Sequence, residues 1–80
     1  MKSRTQDEKF IVALYSLHEK SPEKEAHNRY EIGHSIGMHP RGVNATCKLL
    51  LQANFIKKSN EEEIYITEQG TSLVKRLLEE

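Results

Sequence analysis

Three side chains that can donate hydrogen bonds lie three and four residues apart in the middle of the chain. Arg41, Asn44 and Lys48 supply a guanidinium, an amide and an ammonium group, and this spacing places them on one face of a helix. Residues 32–60 contain no Asp or Glu, although 12 of the 80 residues are acidic. One Arg and three Lys give this stretch a charge of +4 in a chain of zero formal net charge. Such confined positive charge predicts a surface that binds a polyanion, most often nucleic acid.

The other reactive side chains do not form a recognisable site. The spacing of His18, His27, His34 and His39 relative to Cys47 matches no zinc motif, so we predict no metal and no cofactor. Cys47 lies among apolar residues of helical spacing and is expected to be a small buried side chain. We find no glycine-rich phosphate loop and no pair of carboxylates within a recognisable catalytic motif, so an enzyme is not expected.

Composition favours a single globular domain. With 80 residues, 36% hydrophobic and 30% charged, the chain can build one modest core and is not typical of disordered proteins. No apolar run approaches the ~20 residues that cross a bilayer, and no apolar signal region follows the N-terminus. A single cysteine fits a reducing compartment. We therefore expect a cytoplasmic protein with no membrane partner and no evident small-molecule ligand.

Local signals predict four helices and one β-hairpin in a single domain. A capping box from Thr5 to Glu8 begins the first helix, and Ser21-Pro22 ends it. Residues 21–27 are predicted to form a charged connector, and a second capping box, Asn28 to Glu31, begins the next helix. The predicted elements are helix 6–20, helix 29–36, helix 40–53, hairpin 55–66 and helix 68–79.

Glycine and proline define the turn between the second and third helices. Gly37 can take the left-handed conformation that ends a helix, and Pro40 fits the first position of the next. Gly33 is expected to let these two helices cross closely. Apolar residues at positions i, i+4, i+7 and i+8 from Val43 predict a core face for the third helix. The opposite face then carries Arg41, Asn44, Ala45, Lys48 and Gln52.

The order of these elements resembles a winged helix-turn-helix domain. The segment from Ile32 to Met38, Ile-Gly-His-Ser-Ile-Gly-Met, is similar to the helix–turn signature of the family. The segment from Val43 to Lys58 is similar to its recognition helix running into the first wing strand. Ile64 to Gly70 resembles the second wing strand and the Thr-x-x-Gly start of the closing helix in MarR- and PadR-like transcriptional regulators. The resemblance implies a mainly α fold with a small β-hairpin: a three-helix core, a wing and a C-terminal helix.

The resemblance also implies binding of double-stranded DNA by a small transcriptional regulator, with the third helix in the major groove. On that helix, Arg41 is predicted to contact guanine, Asn44 adenine, and Lys48 guanine or phosphate. His39 is expected to be a weak N-cap or a neighbour of phosphate.

Further contacts are predicted outside the third helix. Arg29 begins the second helix, where free N–H groups favour phosphate. Lys57 and Lys58 alternate on a strand, so only one should face the DNA. Glu61, Glu62 and Glu63 at the wing tip would repel phosphate, so the wing is not expected to enter the minor groove.

Other readings of the same features remain open. The acidic wing and an exposed Leu49 would suit a protein–protein interaction module, because a fold does not fix function. A positive surface alone does not distinguish DNA from RNA. The N- and C-terminal helices carry more apolar residues than a small core needs, which favours a homodimer through these helices. Alternatively, the same residues close the core of a monomer.

Overall fold

Along the chain, one helix is followed by a short strand, two helices, a β-hairpin and a last helix. The computed structural model describes residues 4–79, which form four helices and one three-stranded antiparallel sheet. These four helices confirm the predicted mainly helical fold with a C-terminal helix after the wing. The elements are α1 (Gln6–Lys20), β1 (His27–Asn28), α2 (Arg29–Ser35), α3 (Pro40–Gln52), β2 (Ile56–Lys58), β3 (Glu63–Ile66) and α4 (Glu68–Glu79).

Side chains that the sequence places at the helix starts satisfy the free backbone donors there. The Glu8 N–H donates to Thr5 Oγ1 at 3.2 Å, and the Thr5 N–H donates to Glu8 Oε1 at 2.8 Å, which confirms the first capping box. At the start of α2, Asn28 Oδ1 accepts from the N–H groups of Tyr30 and Glu31. Among the described residues Glu31 makes no return bond to the Asn28 N–H, so the second predicted capping box is only half formed. Both helices therefore begin where local chemistry predicts.

The turn between α2 and α3 depends on two glycines. Gly37 has a φ of +77°, the left-handed conformation expected at this helix end. A Cβ at Gly33 would overlap Cγ2 of Val43, so the close crossing of α2 and α3 requires glycine at this position. Pro40 occupies the first turn of α3, as predicted. The relative placement of α2 and α3 is thus set by local turn chemistry and one tight contact.

The sheet contains a strand that the sequence did not indicate. Strand order is β1-β3-β2, and β2 and β3 form the predicted wing hairpin. In β1, His27 pairs with Ile64 and Asn28 pairs with Glu63, whereas the sequence predicts that His27 ends the connector. Two residues are too few to show the alternation that predicts a strand. This short strand joins the start of α2 to the wing.

One apolar core lies between the helices and the sheet. Helix α1 contacts α2, α3, β3 and α4, and so runs through the middle of the packing. Cys47 is fully buried on α3, as expected. This arrangement is a winged helix-turn-helix fold. The largest fully buried side chains are Phe10, Ile11, Leu14, Ile56, Ile64, Val43, Val74 and Cys47.

No helix within residues 4–79 has the length and apolar character needed to span a membrane.

Candidate nucleic-acid interface

Helix α3 presents one polar face to solvent because its other face is buried. Val43, Thr46, Cys47 and Leu50 lie in the protein interior, and Pro40 fixes the first turn. Thr46 also donates through its hydroxyl to Asp7 Oδ1 of α1 at 3.0 Å. No residue of α3 is acidic. The exposed side chains of the face are Arg41, Asn44, Ala45, Lys48 and Gln52.

Arg41, Asn44 and Lys48 are therefore on one solvent-exposed surface, as their spacing predicts. They offer guanidinium, amide and ammonium donors, with no carboxylate on the same helix to repel a polyanion. The hydroxyl of Tyr30 on α2 donates to Asn44 Oδ1 at 2.9 Å, a contact that sequence reasoning missed. Tyr30 and Asn44 are 14 residues apart, so no local periodicity signals it.

His39 lies exposed at the start of the same helix. It occupies the N-cap position with extended backbone, but its side chain forms no capping hydrogen bond. His39 borders an open groove of about 700 Å³ that Arg41 and Gly42 also line. His39 thus lies beside the α3 surface, although it does not cap the helix through its side chain.

Arg29 requires a correction to the sequence interpretation. Its side chain is only 7% exposed, and its Nη2 donates to the backbone oxygen of Glu61 at 2.8 Å. The backbone N–H of Arg29 donates to the oxygen of Glu62 at 2.9 Å. Strand β1 folds the start of α2 against the wing, so the guanidinium points into the protein and does not fit the predicted phosphate contact. Its Nε is buried with no hydrogen-bond partner among residues 4–79.

The wing places two lysines on opposite faces of the sheet. Lys57 pairs with Tyr65 and Lys58 pairs with Ile64, and both lysine side chains are exposed. Successive strand residues point to opposite faces of the sheet, so a polyanion that lies against one face can contact only one of the two lysines.

The turn at the wing tip is acidic and held by local hydrogen bonds. Asn60 Oδ1 accepts from the N–H groups of Glu62 and Glu63, and Asn60 Nδ2 donates to Glu63 Oε1 at 2.7 Å. Glu61 and Glu62 remain exposed. These two carboxylates give the tip a negative surface that disfavours phosphate.

Two histidines meet away from this surface. His18 Nδ1 and His27 Nε2 are 3.4 Å apart, and the rings make an edge-to-face contact. Burial of His27, together with nearby His18 and Lys24, lowers its pKa from the ordinary value. Within residues 4–79, no cluster of three or more His, Cys, Asp or Glu side chains is arranged to hold a metal ion.

Cys47 is chemically protected by its position. Burial raises the pKa of the thiol, although the nearby Arg29 charge acts in the opposite direction. A buried thiol that resists ionisation is a poor nucleophile.

Comparison with known proteins supports the fold. No protein-family model matches the chain, and no curated protein matches it. Among solved structures, the chain is similar to the crystal structure of SSV1 F-93, with a TM-score of 0.60 and 22% sequence identity. The match covers 96% of this chain and 91% of that one, so the similarity extends over the core, the wing and α4 together.

Proposed function

We propose that the chain binds double-stranded DNA through the exposed face of α3, placed in the major groove, and acts as a small transcriptional regulator. The observation that carries the proposal is the surface of Arg41, Asn44 and Lys48 on a helix without carboxylates. Arginine and lysine can donate to O6 and N7 of guanine, and asparagine can pair with N6 and N7 of adenine. A helix of this diameter fits the major groove of B-DNA.

The remaining contacts are proposed to go to the phosphate backbone. His39 adjoins the start of α3, and one of Lys57 and Lys58 can reach along the wing. We leave Arg29 out because its guanidinium is buried. With roughly three phosphates neutralised per subunit, log K should fall with log salt at a slope of about −2.7, so fourfold more salt weakens binding ~40-fold.

The test is a titration of random-sequence duplex DNA at two salt concentrations. The variant Arg41→Ala/Lys48→Ala should bind far more weakly and with a shallower salt slope. The matched control is Lys75→Ala/Arg76→Ala, which removes the same charge from exposed positions on α4. Duplex RNA serves as a competitor, because its narrow major groove does not admit a helix. The proposal is contradicted if the two double variants lose affinity for duplex DNA equally, or if the parent binds no duplex at low salt.

We further propose a homodimer that uses the terminal helices. Leu78 on α4 is 52% exposed, which supports an apolar contact outside the core. Ile11 on α1 is fully buried and so belongs to the core of one subunit. Two copies related by a two-fold axis would place their α3 helices about one DNA turn (~34 Å) apart. Sedimentation of the parent and Leu78→Lys over a range of concentrations tests this, and a parent that stays monomeric refutes it.

One observation favours a second candidate, a protein-interaction module. Leu49 is 54% exposed and borders an apolar groove of about 360 Å³ with Phe55 and Leu73. Such a groove could receive an apolar segment of a partner protein, while the acidic wing tip contacts basic side chains. This candidate is preferred if the parent binds no duplex and Leu49→Lys abolishes a protein complex that Lys48→Ala leaves intact.

A further inference from the structure

The polar surface of α3 receives a side chain from a different helix. Tyr30, in the first turn of α2, donates its hydroxyl to Asn44 Oδ1 at 2.9 Å. Asn44 is exposed and lies between Arg41 and Lys48 on the proposed DNA surface. The contact therefore acts on a group that the proposed function assigns to base recognition.

The position of the Tyr30 hydroxyl is fixed by the fold. The backbone N–H of Tyr30 donates to the capping oxygen of Asn28, and its ring is partly buried against the core. Close packing of Gly33 on Val43 holds α2 against α3. A tyrosine has only two side-chain torsions, so holding its hydroxyl in place costs little conformational entropy.

The Tyr30 hydroxyl can donate or accept, but a phenol is the stronger donor, so the contact favours the orientation of the Asn44 amide in which Oδ1 faces Tyr30. The terminal torsion of asparagine is broad and roughly two-fold, so an exposed amide samples both orientations. A hydrogen bond accepted by Oδ1 holds the oxygen towards Tyr30 and directs the two Nδ2–H donors away from it. Oδ1 keeps a second lone pair, so it can still accept from adenine N6.

We propose that Tyr30 is a positioning residue, which presets the Asn44 amide so that Nδ2 donates to purine N7 while Oδ1 accepts from adenine N6. The inference rests on the proposed function, since it concerns the same DNA surface. Tyr30 acts through Asn44 and needs no contact of its own with a base. An amide oriented before binding loses less rotational freedom when the base arrives.

A double-mutant cycle on the whole chain tests this. The preferred duplex is first selected from a random pool with the parent, and binding is then measured for Tyr30→Phe, Asn44→Ala and the double variant. Tyr30→Phe should weaken binding to the selected duplex about three- to tenfold, the range that ordering one side chain on binding costs. In the Asn44→Ala background the same change should have an effect of less than about twofold. Binding to random duplex should be nearly unchanged by Tyr30→Phe.

A measurement without DNA gives a second readout. In the free protein, ¹⁵N relaxation of the Asn44 side-chain amide should report more motion in Tyr30→Phe than in the parent, while cooperative thermal unfolding shows that the fold is retained. Unchanged amide motion overturns the positioning role, as does an equal loss of affinity in both backgrounds, which would mean that Tyr30 contacts DNA directly. A parent that binds no duplex overturns the proposed function itself, and the inference with it.

Discussion

One added methyl group at Gly33 would test how closely α2 and α3 are packed. Gly33→Ala should favour an isolated helix by up to about 1 kcal/mol, because alanine has the higher helix propensity. In the folded protein, however, the new Cβ would overlap Cγ2 of Val43. Val43 is buried and β-branched, so its side chain has little freedom to rotate away. Overpacking costs about 1–3 kcal/mol, and an overlap with a stiff side chain belongs to the upper part of that range. After the gain in helix propensity, we expect a net loss of about 1–2 kcal/mol in the free energy of unfolding.

A second substitution should restore part of this loss. Val43→Ala alone removes two buried carbon atoms, worth about 1.6 kcal/mol in transfer free energy, and leaves a cavity that raises the cost to about 2–3 kcal/mol. In Gly33→Ala/Val43→Ala, the added methyl group occupies the space that Cγ2 leaves. The double variant should therefore be more stable than the sum of the single losses predicts, by at least about 1 kcal/mol.

Urea unfolding of the parent and the three variants at one temperature measures these differences. Gly42→Ala is the matched control, because the nearest atom to its Cβ would be Met38 Cε at 3.6 Å, an ordinary contact. That control should be stabilised by about 0.5–1 kcal/mol. Tight packing of Gly33 on Val43 is refuted if Gly33→Ala is as stable as Gly42→Ala. It is also refuted if the losses in free energy of unfolding at Gly33 and Val43 simply add in the double variant.

Two further predictions concern His27 and Gly70. Burial lowers the pKa of His27 below its ordinary 6.5, so the folded state binds fewer protons than the unfolded state between the lowered pKa and 6.5. The free energy of unfolding should be undiminished above pH 6.5 and fall on acidification through this window, by at most about 1.4 kcal/mol per pH unit. Thermal unfolding from neutral to acidic pH should show a weaker dependence in His27→Phe than in the parent or in the exposed-site control His34→Asn; equal dependence in all three contradicts the assignment. At Gly70, a Cβ would overlap the backbone oxygen of Phe55, which is held in place because it accepts from the Thr67 N–H at 3.1 Å. Gly70→Ala should therefore lower the free energy of unfolding, measured in urea, by about 2 kcal/mol or more. A Gly70→Ala variant as stable as the parent would contradict this.

Sequence reasoning was most reliable where the cause is local. The capping box at Thr5, the helix end at Gly37 and the start of α3 at Pro40 each follow from backbone groups a few residues away. The apolar period from Val43 likewise fixes which face of α3 is buried, and hence which face carries Arg41. These features required no knowledge of the rest of the fold.

The Thr-x-x-Gly motif is visible in the sequence, but the need for its threonine and glycine becomes clear only from contacts in the fold. Thr67 Oγ1 accepts from the N–H of Gly70 at 3.0 Å and donates to the oxygen of Asn54 at 2.6 Å. The motif thus begins α4 and also joins it to the segment before the wing. Its glycine is required by a backbone atom of Phe55, 15 residues earlier in the chain.

The chain by itself determined the helices, the N-caps of α1 and α2 and the polar face of α3, because those depend on neighbours within one or two turns. Tertiary structure alone decided that Arg29 is buried against the wing and that Tyr30 reaches Asn44. Arg29 and Glu61 are 32 residues apart, and their contact exists because β1 pairs with β3. A strand of two residues carries no repeating pattern of its own, so only the packing of distant segments could reveal it.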